Sequence, residues 1–95
     1  MDNKITEKIL LSDKDKIIIE IIKAVQAKSF DIEFFYNKYG ESEIKDILIF
    51  CTQERLLKGI RAKVKKDKSI EVCVLKHPIV TFSGLIFLHD KGVEI

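Results

Sequence analysis

The sequence contains little that would support a membrane, secreted or disulfide-linked protein. A membrane-spanning helix needs about 20 consecutive apolar residues, and no apolar run among these 95 residues approaches that length. The N-terminal segment mixes acids and bases and has no apolar core of a secretion signal. Small disulfide-stabilised domains usually carry about four or more cysteines, whereas this chain has Cys51 and Cys73 alone. We therefore expect a cytoplasmic protein without membrane association, with both thiols reduced and largely buried.

The composition is that of one ordinary folded domain. Hydrophobic residues make up 46% of the chain and charged residues 34%, which is typical of a globular protein. The length suits a single domain with one core. We predict that residues 12–95 form this domain and that residues 1–11 form an N-terminal arm or a short element.

The chain has no recognisable catalytic or metal-binding motif. Its histidines and cysteines include no Cys-x-x-Cys and no histidine pair one helical turn apart. It has no glycine-rich phosphate loop and no nucleophile elbow. The sequence therefore predicts a protein that is not an enzyme, with no catalytic residues, metal site or cofactor.

Two helices are predicted in the first half. Ser12 is a suitable N-cap, and apolar residues at helical spacing follow it, which predicts a helix over residues 13–28. Asp31 is a suitable cap for a shorter helix over Ile32–Tyr39. The aromatic residues of this helix would suit either base stacking or core packing, and their helical spacing favours the core. They are Phe34, Phe35, Tyr36 and Tyr39.

The next stretch, residues 42–60, predicts the central helix. Ser42 is a candidate N-cap, the apolar residues from Ile44 to Cys51 form one stripe, and Gly59 is a candidate stop. We expect a helix over residues 42–58, followed by strands over residues 60–64 and 70–75. The sequence His77-Pro78 is expected to end the second strand, and Thr81 is expected to cap a last helix that ends near Gly92.

This order resembles the winged helix-turn-helix fold: three helices, a two-stranded β-hairpin wing and a C-terminal helix, in the α+β class. The resemblance is carried by Ser42-Glu43-x-x-Asp46-Ile47-Leu48, by Leu56-Leu57-Lys58-Gly59-Ile60, and by the segment from Val80 to Leu88. Similar segments occur in small bacterial and phage winged-helix proteins, including the YjcQ-like ones. The resemblance implies a DNA-binding transcriptional regulator, which often dimerises.

Charge is distributed in a way that fits DNA binding. Residues 55–68 contain seven bases and one acid, a net +6, whereas the rest of the chain contains ten bases and fourteen acids, a net −4. A basic segment on an acidic body is typical of a polyanion-binding surface. It is equally compatible with lysines that keep an exposed hairpin soluble. On the first interpretation, the residues predicted to contact double-stranded DNA are Lys45, Thr52, Gln53, Arg55, Lys58, Arg61, Lys63, Lys65, Lys66 and Lys68.

A second interpretation makes the chain a protein-binding or homodimeric winged helix that does not bind nucleic acid. The central helix carries an acid, Asp46, on its predicted outer side, and Ile49, Phe50 and Leu57 are apolar residues outside its main stripe. They would form an interface with a protein partner or with a second copy. Alternatively, Phe50 and Leu57 pack against the first and last helices.

Overall fold

A computed structural model describes residues 12–93 of the chain. The arm predicted for residues 1–11 lies outside this range. The described residues form, in order, α1 (Asp13–Gln26), α2 (Ile32–Tyr39), α3 (Glu41–Gln53), β1 (Leu57–Val64), β2 (Ile70–Val80) and α4 (Phe82–Asp90). The two strands make an antiparallel sheet. The predicted α+β class and the predicted order of elements are confirmed for this range.

The helices begin as the polar residues before them predict, with one exception. The side chains of Ser12, Asp31 and Thr81 accept hydrogen bonds from backbone N–H groups in the first turns of α1, α2 and α4. These bonds use N–H groups that have no partner within the helix. α3 instead begins at Glu41, directly after Gly40, and has no side-chain cap. The prediction that Ser42 caps this helix is wrong.

The core is built mainly from α1 and α3. The isoleucines of α1 and the apolar stripe of α3 belong to one buried cluster, and Phe35 is the buried residue of α2. The hairpin contributes through its base, and α4 through Leu88. The buried side chains from these last elements are Leu56, Leu57, Ile60, Ala62 and Leu88. Tyr39 and Lys38 of α2 also bond the carboxylate of Glu20 on α1, which ties these helices together at the surface.

Three helices end in the same motif, in which one residue takes a left-handed conformation. Positive φ angles occur at Lys28 after α1, at Arg55 after α3 and at Gly92 after α4. In each case the next residue donates its N–H to the carbonyl five residues earlier, at 2.9 to 3.0 Å. This is the Schellman motif, which usually places glycine at the left-handed position. α3 therefore ends at Gln53, and the predicted extension to residue 58 is wrong.

The hairpin is longer at its base than predicted. Because α3 stops early, β1 begins at Leu57, and both Leu56 and Leu57 are buried. β2 runs through His77 and Pro78 to Val80, so the prediction that this pair ends the strand is wrong. Pairing is interrupted here: Lys58 opposes Ile79, whereas Ile60 opposes Val74. A bulge of this kind accommodates a proline because no ladder hydrogen bond is needed from it.

Gly59 lies where the two strands are irregular. Its φ angle is +94°, and a Cβ atom there would lie 2.9 Å from the Cα of Pro78. Both the left-handed backbone and the close approach require glycine. Gly59 therefore shapes the hairpin base and does not end a helix.

The two cysteines differ in environment. Cys51 is buried on α3, and this burial raises the pKa of its thiol to about 12. Cys73 is exposed on β2, so the prediction that both thiols are largely buried is wrong for Cys73. Both cysteines are free, as predicted.

Candidate nucleic-acid interface

The turn between the strands displays three of the predicted DNA-binding bases. Lys65, Lys66 and Lys68 are exposed. Asp67 holds the turn because its carboxylate accepts hydrogen bonds from the hydroxyl and the backbone N–H of Ser69, at 2.6 and 3.0 Å. These bonds lower the pKa of Asp67. The lysines therefore project from a turn with a defined shape.

The outer face of β1 continues this basic surface. Arg61 and Lys63 are exposed, whereas Ile60 and Ala62, which alternate with them along β1, are buried. Lys63 opposes Glu71 on β2, and their side chains form an exposed ion pair at 3.5 Å. Glu71 places a negative charge inside the basic surface. The pairing of Glu71 with Lys63 follows from the strand register, which alternation within a single strand does not give.

The tip of the hairpin lies beside the start of α3. A cleft of about 380 Å³ is lined by both elements, including Lys45 and Ser42 from α3 and Lys68 and Ser69 from the turn. The structure thus brings together two predicted site residues that are distant in sequence. Lys45 is half-buried and pairs with Glu41 at 2.7 Å, and this hydrogen bond raises its pKa. Part of its charge is therefore neutralised within the chain.

Thr52 connects α3 to the hairpin. Its hydroxyl oxygen accepts a hydrogen bond from the backbone N–H of Ala62 at 3.0 Å, which occupies a backbone donor of β1. A second cleft, of about 470 Å³, is lined by Thr52 and by the outer residues of the strands. Those residues include Arg61, Lys63 and Cys73. Thr52 thus lies next to the basic face, but its hydroxyl already has a structural partner.

Three other predicted residues lie at the opposite end of the hairpin. Gln53, Arg55 and Lys58 are exposed around the junction of α3 and β1. At about 3.3 Å per residue, Lys58 lies roughly 20 Å along the strand from the turn. The structure therefore does not bring these side chains together with the lysines of the tip.

α3 itself has the wrong charge for strong phosphate binding. It contains Glu41, Glu43 and Asp46 but only one base, Lys45. All three acids are exposed. The positive charge on this side of the protein therefore belongs to the hairpin, and α3 contributes mainly negative charge.

The residues predicted to form a protein interface are mostly engaged within the chain. Ile49 and Phe50 are partly buried against the core, and the ammonium of Lys14 lies 4.6 Å from the centre of the Phe50 ring. Leu57 is only 6% exposed. Sequence reasoning missed the side chains that do present apolar surface, because helical and strand periodicity assigned most of them to inner faces. The large exposed apolar residues are Phe34, Val64, Val74, Leu75, Ile79, Phe82 and Ile86.

Other kinds of site find little support in the part of the chain that the structure describes. Residues 12–93 contain no cluster of three or more histidine, cysteine or acidic side chains placed to hold a metal ion. No helix in that range is long and apolar enough to cross a membrane. The basic hairpin is thus the most distinctive surface on chemical grounds. Comparisons with known protein families, curated proteins and solved structures found no match to this chain, so similarity assigns it to no family.

Proposed function

We propose that this protein is a winged-helix DNA-binding module, and that it acts as a small transcriptional regulator. The observation that carries the proposal is the exposed basic surface of the hairpin. Arg61 and Lys63 on β1 and the three lysines of the turn are all exposed. Such a surface would hold the phosphate backbone of a duplex in a salt-dependent, largely sequence-independent way.

The arrangement of elements supports the winged-helix part of this proposal. α2 and α3 are joined by Gly40 alone, and the hairpin follows α3 after a short turn. This is the layout in which a second helix approaches the major groove and a wing contacts the backbone beside it. The cleft shared by Lys45 and Lys68 places the wing tip close to the start of that helix.

Within this proposal the hairpin supplies affinity and α3 supplies little. The acids of α3 would repel phosphate, and the hydroxyl of Thr52 accepts a hydrogen bond from Ala62. Gln53 is exposed, and its amide is of a type that can read base edges. We therefore expect affinity for duplex DNA with weak discrimination between sequences.

The test is the binding of a short random-sequence duplex, followed by fluorescence anisotropy at several salt concentrations. Each phosphate contact contributes about 0.9 to the slope of log K against log salt, so Lys65→Gln/Lys66→Gln should lower that slope by about 1.8. At about 50 mM salt, this double variant should bind the duplex on the order of 10-fold or more weakly than the wild type. Glu71→Gln should change affinity in the opposite direction, because it removes the acid beside Lys63.

A matched control is Lys16→Gln/Lys23→Gln, which removes two exposed lysines from α1 and leaves the hairpin intact. This variant should bind nearly as well as the wild type. Absence of duplex binding by the wild type at low salt would refute the proposal. Equal losses in the two double variants would show that net charge, and not the hairpin, governs binding.

A further inference from the structure

A cleft with a volume of about 430 Å³ lies between the end of α1 and the base of the hairpin. Its apolar lining comes from both sides, with Val25 and Phe30 on one and Pro78 and Ile79 on the other. Small-molecule sites usually have volumes of about 300–1,000 Å³. None of the residues predicted to bind DNA or to form a protein interface lines this basal cleft. It is therefore separate from the basic surface of the hairpin.

The apolar walls of the basal cleft are held by their neighbours. The ring of Phe30 stacks on that of Phe35, which is 2% exposed, with 5.6 Å between the ring centres. Pro78 lies against Gly59 at the irregular pairing of the strands. Ile79 is 53% exposed, so a molecule in the cleft would remove apolar surface from water. Because the walls are already in place, little ordering would be needed on binding.

The polar part of the cleft is entirely basic. Lys28, Lys76 and His77 complete the lining, and all three are exposed. Within residues 12–93, neither lysine forms an ion pair with an acid. The acid closest to Lys28 in sequence, Asp31, uses its carboxylate to cap α2. The two ammonium groups and a ring N–H of the imidazole are therefore donors suited to an anion.

The backbone fixes Lys28 at the edge of the cleft. Its φ angle is +58°, and its N–H bonds the carbonyl of Val25 at 3.0 Å. The N–H of Ser29 bonds the carbonyl of Ala24 at 2.9 Å. These carbonyls belong to the last turn of α1, which carries the negative end of the helix dipole. Since both are occupied, the positive charge of Lys28 dominates this edge.

The molecule that complements these walls has an apolar body and one negative charge. Phe30 and Pro78 supply ring surfaces that suit an aromatic body, and the lysines suit a carboxylate. We propose that the basal cleft binds a small aromatic carboxylate, with its ring against Phe30 and Ile79 and its carboxylate between Lys28 and Lys76. Such a ligand would be a small-molecule effector bound at the base of the hairpin.

Titration of the full chain with naphthylacetate, followed in two-dimensional amide NMR spectra, tests this inference. Signals from residues 25–30 and 76–79 should shift, with a Kd on the order of 1 mM or tighter for a probe of this size. Naphthylacetamide has the same ring and no charge, so it should bind on the order of 10-fold more weakly. This pair of probes separates the contribution of the lysines from that of the apolar walls.

Two variants address the two parts of the cleft. Lys28→Gln/Lys76→Gln should weaken naphthylacetate on the order of 10-fold and leave naphthylacetamide nearly unchanged. Ile79→Ser should weaken both probes roughly 5-fold, because it removes part of the apolar wall. The altered side chains are exposed, and the amide spectrum of each variant would show that its fold is kept.

The matched control is Lys65→Gln/Lys66→Gln, which makes the same change in net charge at the turn and should bind naphthylacetate as the wild type does. Shifts confined to other residues, or equal affinities of the wild type for the two probes, would overturn the proposal. Shifts of the same amides with protein concentration alone would identify a second copy as the occupant and would also overturn it. None of these results depends on duplex binding.

Discussion

Gly84 is the position where one added methyl group should have the clearest effect on stability. A Cβ atom there would lie 2.3 Å from the carbonyl oxygen of Leu56 and 2.7 Å from Cγ1 of Val80. Both distances are far below van der Waals contact, and the first neighbour is backbone that cannot rotate away. Relief of the overlap requires α4 to move outward from the base of the hairpin.

The outward movement of α4 should change the free energy of unfolding through three contributions. Overpacking of this kind costs about 1–3 kcal/mol. The carbonyl of Leu56 also accepts a hydrogen bond from the N–H of Thr81 at 3.1 Å, and its loss adds about 1 kcal/mol. Alanine recovers about 1 kcal/mol through its higher helix propensity. We therefore expect Gly84→Ala to lower the free energy of unfolding by about 2 kcal/mol.

Thermal and urea denaturation followed by circular dichroism would measure this difference. For a domain of this size, a loss of about 2 kcal/mol corresponds to a Tm decrease of about 8–16 °C. Ser83→Ala is the matched control, since Ser83 is exposed on the same helix and reports helix propensity alone. If Gly84→Ala were as stable as the wild type, the close approach of α4 to Leu56 would be refuted.

Two further predictions concern single side chains. In the folded protein, a maleimide should modify Cys73 rapidly and Cys51 only on unfolding, because Cys51 is buried and the pKa of its thiol is raised. Cys73→Ser should abolish the fast phase of labelling. Rapid labelling in that variant would contradict the buried position of Cys51. Hydrogen bonds from Tyr39 and then Lys38 outweigh desolvation and lower the pKa of Glu20, so its contribution to stability is full above the unfolded-state pKa and is lost as pH falls through the lower folded-state value. Denaturant titration would measure the difference in unfolding free energy between the wild type and Glu20→Gln. This difference should shrink as the pH falls from about 5 to about 3. A difference that does not depend on pH would argue against the interaction.

Three of the four helix starts in residues 12–93 could be predicted from sequence, but two of the helix ends could not. Ser12, Asp31 and Thr81 cap locally, through hydrogen bonds within three residues, so neighbouring residues are sufficient to identify them. The Schellman motif at Gly92 is also visible, because glycine favours the left-handed conformation. Lys28 and Arg55 take the same conformation without that signal.

The early end of α3 follows from packing between distant residues. The sequence Thr-Gln-Glu-Arg-Leu-Leu contains good helix formers, so propensity favours continuation. The observed turn instead buries Leu56 and Leu57 against the core. A long-range gain in burial thus outweighs the roughly 1 kcal/mol of left-handed strain at Arg55, and no local pattern contains that information.

Only part of the candidate site could be predicted from the sequence, because the rest depends on contacts between distant residues. The exposure of Arg61 and Lys63 follows from strand alternation, which is a local property. The pairing of Lys63 with Glu71 and the meeting of Lys45 with Lys68 depend on register and on how the turn lies against α3. The exposure of Leu75 and Ile79 was missed because these residues flank an irregular section of β2, where simple alternation does not apply.

The hydrogen bonds at the hairpin base set the angle of the hairpin at a point far from its turn. Thr81 donates its backbone N–H to the carbonyl of Leu56 at 3.1 Å and its hydroxyl to the carbonyl of Arg55 at 2.5 Å. These two hydrogen bonds hold the end of β2 against the start of β1. β1 has eight residues and therefore extends about 26 Å from these hydrogen bonds. A rotation of about 5° at the base would thus displace the turn by about 2 Å over that length. Substitutions at Thr81 would move Lys65 and Lys66 without touching them.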